Sequence, residues 1–108
     1  MIENIKIVHY RECNFWQKTK ADLEALLKKS GLKVPIEEIV VENDAQARQF
    51  NFFGSPQVMV NGEDIDPMAK RMTNFHASGC RLYFYNGKAA DAPSPEMLEE
   101  VLRKYASK

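Results

Sequence analysis

The feature that most constrains this sequence is a short apolar run, Ile5 to Tyr10, that gives way at once to a helical pattern. The run is β-branched and aromatic, and nearly all its positions are apolar, as in a strand covered on both faces. From Trp16 onward the apolar residues recur at helical spacing, and Ser30-Gly31 ends that helix. A second strand-like run, Ile36 to Val41, follows. Together these segments predict a βαβ unit with a parallel strand pair.

A proline marks the third predicted strand. A short helix, capped by Asn43-Asp44 and stopped by Gly54, precedes Pro56 and an apolar run that ends at Val60. Proline costs no ladder hydrogen bond at the first position of a strand, and an X-Pro bond in a tight turn is where a cis peptide would be found. Because Asn61-Gly62 fits a two-residue hairpin turn, we expect the chain to double back after Val60.

Two stretches compete as the antiparallel partner of the strand that ends at Val60. One is the short run Glu63 to Ile65, and the other is residues 81–85, the most strand-like run in the second half of the chain. We expect the longer run to be the partner. Residues 66–79 lie between the two strands, and their pattern fits either a helix or an irregular excursion.

Local signals complete the chain. Asn86-Gly87 offers another hairpin turn, and Ser94-Pro95-Glu96 begins the last helix with a cap, a proline and an early acid. The sequence therefore predicts one α/β domain over residues 1–108. Its mixed four-stranded sheet should have Ile5 to Tyr10 and Val58 to Val60 at its centre.

Composition narrows the classes of function. Fifteen basic and fifteen acidic residues cancel, so no net charge favours nucleic acid or an anionic membrane. No apolar run approaches the roughly 20 residues that a membrane-spanning helix needs, and the first residues do not resemble a signal peptide. Two cysteines in 108 residues are not the disulfide framework of a small secreted domain. We therefore expect a cytoplasmic protein that binds neither nucleic acid nor membranes.

The residue that carries reactive chemistry is Cys13, in the predicted turn between the first strand and the first helix. Unpaired N–H groups and the helix dipole favour an anion at a helix N-terminus, so a thiol placed there has a larger thiolate fraction. The adjacent Glu12 opposes this effect, while Arg11 and Lys18 could offset it. Cys13 is thus a candidate nucleophile or metal-capturing thiolate, and the alternative is a cysteine left in a domain without redox chemistry.

This order of elements resembles the thioredoxin-like fold. The resemblance rests on Cys13, where that family carries its redox cysteine, and on Ser55-Pro56, where it carries a cis-proline next to that cysteine. The segment from Ser55 to Gly62 is similar to the matching segment of glutaredoxins. The resemblance spans almost the whole chain and implies a three-layer α/β/α sandwich of order β-α-β-α-β-β-α, in which residues 66–79 are an insertion.

The chain departs from the family at the second cysteine. Thioredoxins and dithiol glutaredoxins use Cys-x-x-Cys, whereas this chain has Cys13-Asn14-Phe15-Trp16. Without the resolving cysteine, the cycle would need glutathione, another protein or Cys80. Monothiol glutaredoxins carry Cys-Gly-Phe-Ser, which this chain matches only at Cys13 and Phe15, so iron–sulfur binding is not carried over.

The resemblance implies a single-cysteine thiol–disulfide oxidoreductase or glutathione-linked redox protein. It has no bound cofactor, glutathione is a candidate co-substrate, and the partner is a disulfide- or thiol-bearing protein or glutathione. The alternative is a binding module that uses the same groove for a protein partner or a soft metal ion without turnover. The residues implied are Cys13 as the catalytic thiol, Asn14, Phe15, Trp16, Ser55 and Pro56 as substrate-binding residues, and Cys80 as a possible second thiol.

Three further expectations concern the surroundings of Cys13. A cis bond at Pro56 would leave the backbone of Ser55 free to pair with an extended peptide or glutathione. A strand from residue 81 antiparallel to the Pro56-led strand would begin far from Cys13, so a direct disulfide with Cys80 would need residues 66–79 to fold back. His9, inside the first strand, is expected to be a core residue rather than a base, and Trp16 also fits the buried stripe of the first helix.

Overall fold

The computed structural model describes residues 1–77 and 79–106. Its strands and helices follow the predicted βαβ order in the first half and add a second small sheet in the other half. A 3₁₀ helix, Pro67–Arg71, lies between the two sheets in the chain. The elements are β1 (Ile5–Tyr10), α1 (Trp16–Ser30), β2 (Ile36–Val41), α2 (Asp44–Gln49), β3 (Gln57–Val60), β4 (Glu63–Asp64), β5 (Tyr83–Tyr85), β6 (Lys88–Ala90) and α3 (Pro95–Ala106).

The main sheet is mixed and has four strands in the order β2-β1-β3-β4. β1 runs parallel to β2, with Val8 opposite Ile39, and antiparallel to β3, with Ile7 opposite Val58. The predicted α/β class, the mixed four-stranded sheet and the central position of β1 and β3 are therefore confirmed. The two strands are parallel because the intervening helix returns the chain to the end of the sheet at which β1 begins.

The predicted partner of β3 is wrong. β3 pairs with β4, whose Glu63 lies opposite Val60, whereas β5 pairs with β6 in a separate two-stranded sheet. Asn61 and Gly62 make the two-residue turn between β3 and β4, with φ of 53° and 81°. β3 pairs with β4 because closing their two-residue loop costs less entropy than closing the longer loop that a pairing with residues 81–85 would need.

Two hydrophobic clusters place the helices on opposite faces of the sheet. Ile5 and Ile7 of β1 pack with buried residues of α1 and α3, such as Leu23 and Leu98. The next residue, Val8, points to the other face and belongs to the cluster that contains α2. That second cluster consists of the buried residues Val8, Val41, Ala47 and Phe52.

Caps confirm the predicted end of α1 and the predicted starts of α2 and α3, whereas α2 ends at Gln49 and does not reach Gly54. Gly31 follows α1 in the left-handed conformation, with φ of 71°. Asn43 caps α2 by accepting a hydrogen bond from the Gln46 backbone N–H at 2.9 Å. Ser94 does the same for α3, since its Oγ accepts from the Met97 N–H at 3.1 Å. None of the helices in the described part of the chain has both the length and the apolar character that a bilayer crossing requires.

Candidate functional site

Cys13 lies where the sequence places it, in the turn between β1 and α1. Its backbone N–H donates to the Tyr10 carbonyl at 3.1 Å, which closes the turn. The helix begins after Phe15, which offers no side-chain cap, so the first turn of α1 is left without a capping oxygen. Cys13 itself is only 5% exposed. The thiol is therefore next to an uncapped helix N-terminus but is largely closed to solvent.

The Ser55-Pro56 peptide is cis, as the sequence predicts, and lies at the same end of the sheet as Cys13. This follows from the antiparallel register, in which Val8 is opposite Gln57. The last residues of β1 thus lie beside the residues that enter β3. Ser55 and Pro56 are both buried, and the Ser55 hydroxyl has no hydrogen-bond partner among the described residues.

The expectation that the Ser55 backbone is free is wrong. The Ser55 N–H donates to the Gly79 carbonyl at 3.1 Å, and the Ser55 carbonyl accepts from the Arg81 N–H at 3.1 Å. These two bonds form an isolated parallel bridge between Ser55 and Cys80. Residues 79–81, which we call the strap, therefore occupy the backbone position that a partner peptide would use.

A buried cation holds the strap in place. The Arg81 side chain is 2% exposed and its Nη1 lies 2.9 and 2.8 Å from the two carboxylate oxygens of Asp64. Its Nη2 donates to the Gln57 side-chain oxygen at 2.6 Å, and its guanidinium lies 3.6 Å from the centre of the Phe53 ring. Paired and hydrogen-bonded in this way, a buried charge can be accommodated. The network connects the strap to β3 and β4.

Burial shifts the titration of two groups around Arg81. It raises the pKa of the Asp64 carboxyl above its ordinary value, and the nearby Arg81 charge opposes that effect. Burial also raises the pKa of Tyr83 well above its ordinary value. The Tyr83 hydroxyl therefore stays protonated and donates to the Pro56 carbonyl at 2.5 Å. The strap and β5 thus contact the loop that carries the cis-proline.

The strap brings Cys80 to the Cys13 end of the sheet, so the prediction that Cys80 lies far from Cys13 is wrong. The physical reason is that β5 does not extend β3, and the chain instead crosses Ser55 before β5 begins. The Cys80 Sγ lies 3.8 Å from the Tyr10 hydroxyl. The pKa of Tyr10 is raised above its ordinary value, first by this hydrogen bond and then by burial. Both cysteines are free.

His9 and Trp16, which lie on either side of the β1–α1 turn in the sequence, stack against each other. Their rings stack with centroids 4.3 Å apart and planes at 6°. His9 is 3% exposed; its Nδ1 lies 2.9 Å from the Tyr10 carbonyl and its Nε2 lies 2.7 Å from a Glu38 carboxylate oxygen. His9 is thus a core residue, as predicted, and Trp16 packs half-buried against the same core. Of the other predicted substrate-binding residues, Asn14 is exposed and Phe15 is half-buried.

The sequence matches one known protein family over most of its length. Residues 7–101 match the family described as Domain of unknown function (DUF2703). The chain belongs to this family. The match spans Cys13, Ser55, Pro56 and Cys80, and the family description names no activity. No curated protein and no solved structure gives a significant match.

In this DUF2703 domain, the concave surface next to the cysteines is small. A pocket of about 290 Å³ is lined by Tyr10, Arg11, Glu12, Val41, Glu42 and Ala77. Larger cavities of about 550 and 640 Å³ lie at the opposite end of α1, around Ser30 and Gly31. Within residues 1–77 and 79–106, no three His, Cys, Asp or Glu side chains cluster closely enough to hold a metal ion.

Sequence reasoning missed the roles of Tyr10, Gln57, Asp64 and Arg81. The sequence offers no signal for Arg81: in residues 81–84, Arg81 and Tyr83 are buried while Leu82 and Phe84 are 52% and 68% exposed. Hydropathy favours the opposite assignment, in which the apolar residues face inward. Only the position of Asp64, on a neighbouring strand, explains why the charged residue is the buried one.

Proposed function

We propose that this chain is a thiol–disulfide oxidoreductase of the thioredoxin and glutaredoxin type in which Cys13 is the essential thiol. The observation that carries the proposal is the position of Cys13 in the β1–α1 turn, at the end of the sheet where the cis Ser55-Pro56 peptide enters β3. The strand order β2-β1-β3-β4, with helices on both faces, supports the thioredoxin-like resemblance.

The proposed chemistry is thiol–disulfide exchange. The Cys13 thiolate attacks one sulfur of a disulfide, the new S–S bond forms as the old one breaks, and the departing thiolate takes up a proton. The first turn of α1, which begins three residues after Cys13, has no side-chain cap. A second thiol must then release Cys13, and glutathione or a protein thiol would supply it.

A second candidate function is a binding module without turnover. The small exposed fraction of Cys13, 5%, favours it, because an incoming disulfide must reach the sulfur. The strap on the Ser55 backbone favours it as well. Such a module would bind a protein partner at this end of the sheet without exchanging thiols.

Turnover separates the two candidates. We would measure the reduction of insulin disulfides by dithiothreitol, and of a small hydroxyethyl disulfide by glutathione, with the wild-type chain and with Cys13→Ser. Thr19→Ser, a conservative change in the same buried neighbourhood, serves as the matched control because it keeps the hydroxyl that bonds to the Phe15 carbonyl.

We expect the wild-type chain and Thr19→Ser to catalyse at least one of the two reductions, and Cys13→Ser to be inactive. Glutathione-dependent turnover would identify glutathione as the co-substrate. A wild-type chain that accelerates neither reduction would overturn the oxidoreductase and leave the binding module. Activity that survives in Cys13→Ser would show that Cys13 is not the essential thiol.

A further inference from the structure

The two cysteines differ in exposure and share one neighbour. Cys80 is exposed, whereas Cys13 is buried. Tyr10 contacts the Cys80 sulfur through its hydroxyl at 3.8 Å, and its carbonyl accepts from the Cys13 N–H at 3.1 Å. The exposed thiol can meet an incoming disulfide, and the buried one is shielded from it.

We propose that Cys80 and Cys13 form one redox pair, in which the exposed Cys80 attacks the substrate disulfide and the buried Cys13 resolves the adduct. This inference rests on the proposed disulfide exchange and keeps Cys13 essential, but it assigns the first attack to Cys80 and makes Cys13 the thiol that resolves the adduct. The pair would replace Cys-x-x-Cys with two cysteines that are distant in sequence and that both contact Tyr10.

The position of the strap supports the pairing. Cys80 lies between the two residues whose backbone groups bond to Ser55, so its own backbone is held next to the loop that leads into the cis-proline. A disulfide-bearing peptide that paired with Ser55 would bring its cysteine to the same place. The strap thus bonds to the Ser55 backbone as such a peptide would, and it carries its own cysteine to this end of the sheet.

The exchange balances in two steps. The Cys80 thiolate attacks one sulfur of the substrate disulfide and forms a mixed disulfide, and the other substrate sulfur leaves as a thiolate that takes up a proton. The Cys13 thiolate then attacks the Cys80 sulfur, which forms the Cys13–Cys80 disulfide and releases the second substrate thiol. The substrate disulfide gains two electrons and two protons, and the two protein thiols lose them.

Tyr10 is a positioning residue in this scheme. The Tyr10 hydroxyl lies 3.8 Å from the Cys80 sulfur, so it can orient that sulfur and donate a hydrogen bond to it during the attack. Tyr10→Phe should therefore slow the alkylation of Cys80 at neutral pH and move its pH profile upward. Tyr85→Phe is the matched control, since it removes an exposed hydroxyl that bonds to Glu100 and not to a cysteine.

The test uses the reduced full chain, Cys13→Ser and Cys80→Ser, each mixed with 5,5′-dithiobis(2-nitrobenzoate). We expect the wild-type chain to release two nitrothiobenzoates for each protein molecule and to yield a linked peptide that contains Cys13 and Cys80. Cys13→Ser should retain a stable adduct on Cys80. Cys80→Ser should react more slowly by about tenfold or more, because only the buried thiol remains.

The outcomes separate this inference from the proposed function. A Cys80→Ser variant that reacts and turns over as fast as the wild-type chain would overturn the pair and leave a single-cysteine enzyme. A wild-type chain without the linked peptide would overturn it too. A linked peptide in a chain that reduces neither insulin nor the hydroxyethyl disulfide would support the pair and overturn the oxidoreductase.

Discussion

The buried guanidinium of Arg81 contributes to stability through partners on two neighbouring strands. Asp64 of β4 supplies both carboxylate oxygens and Gln57 of β3 supplies an amide oxygen. A buried charge is tolerated only while such partners are present, because its desolvation cost is otherwise not offset. Removing Asp64 would leave the guanidinium charge uncompensated, whereas removing Gln57 would take away one hydrogen-bond acceptor.

We expect Asp64→Asn to lower the free energy of unfolding by about 3 kcal/mol, because it leaves the Arg81 charge buried without its carboxylate. Asparagine keeps an oxygen that can accept from the Asp66 N–H, as Asp64 does at 2.9 Å, so the turn is preserved. Urea unfolding followed by circular dichroism would measure the change.

Glu42→Gln is the matched control for charge removal. Glu42 pairs with Arg11 at 3.1 Å, but the two side chains are 54% and 71% exposed. Exposed ion pairs contribute little, so this variant should unfold close to the wild-type midpoint. Equal effects of the two substitutions would mean that the Asp64–Arg81 pair is no more important than a surface pair.

At the scale of elements, Gly54 lets the strap approach β3 closely. A Cβ at Gly54 would lie 2.9 Å from the Arg81 Cβ and 3.1 Å from its Cα, and the φ of Gly54 is 151°. Backbone atoms cannot move aside as the end of a side chain can. The strap therefore lies against Ser55 only because residue 54 has no side chain.

Gly54→Ala should displace the strap from Ser55 and cost roughly 1–3 kcal/mol, because the new methyl group overlaps the Arg81 backbone. Gly87→Ala is the control, since Gly87 also has a positive φ, 77°, but its Cβ would meet nothing within 4 Å. Hydrogen exchange at the Ser55 and Arg81 amides would measure the displacement. Unchanged protection at both amides in Gly54→Ala would contradict the assigned packing.

Most elements follow from local sequence signals, whereas the site depends on long-range contacts. The caps at Gly31, Asn43 and Ser94 act over a few residues, and they end α1 and begin α2 and α3 where the sequence predicts. The turn at Asn61-Gly62 is equally local and was predicted, although the strand that it leads into was not the preferred partner of β3. The bridge from Ser55 to Cys80 joins residues far apart in the chain. No hydrophobic periodicity in the sequence can indicate such a long-range contact. The residue that holds it, Arg81, is charged, and a charged residue in a strand-like run is expected to face solvent.

For the whole molecule, the Cys13–Cys80 pair would couple redox state to global stability. A disulfide between these residues closes a loop that contains much of the chain, including β2, β3 and β4. In the chain-entropy description, a loop of this length destabilises the unfolded state by about 4 kcal/mol. By linkage, folding favours the disulfide by the same free energy. Folding therefore lowers the reduction potential of the pair, by about 30 mV for each 1.4 kcal/mol.

We therefore expect the oxidised chain to unfold at a higher urea concentration than the reduced chain, and the pair to act as a reductant because its oxidised form is the more stable one. Urea unfolding of both forms measures the difference, and Cys80→Ser treated with the same oxidant should show no shift. If the oxidised chain were the less stable form, strain in the folded state would outweigh the entropy gain. The pair would then donate its disulfide, and the same two cysteines would act as an oxidant.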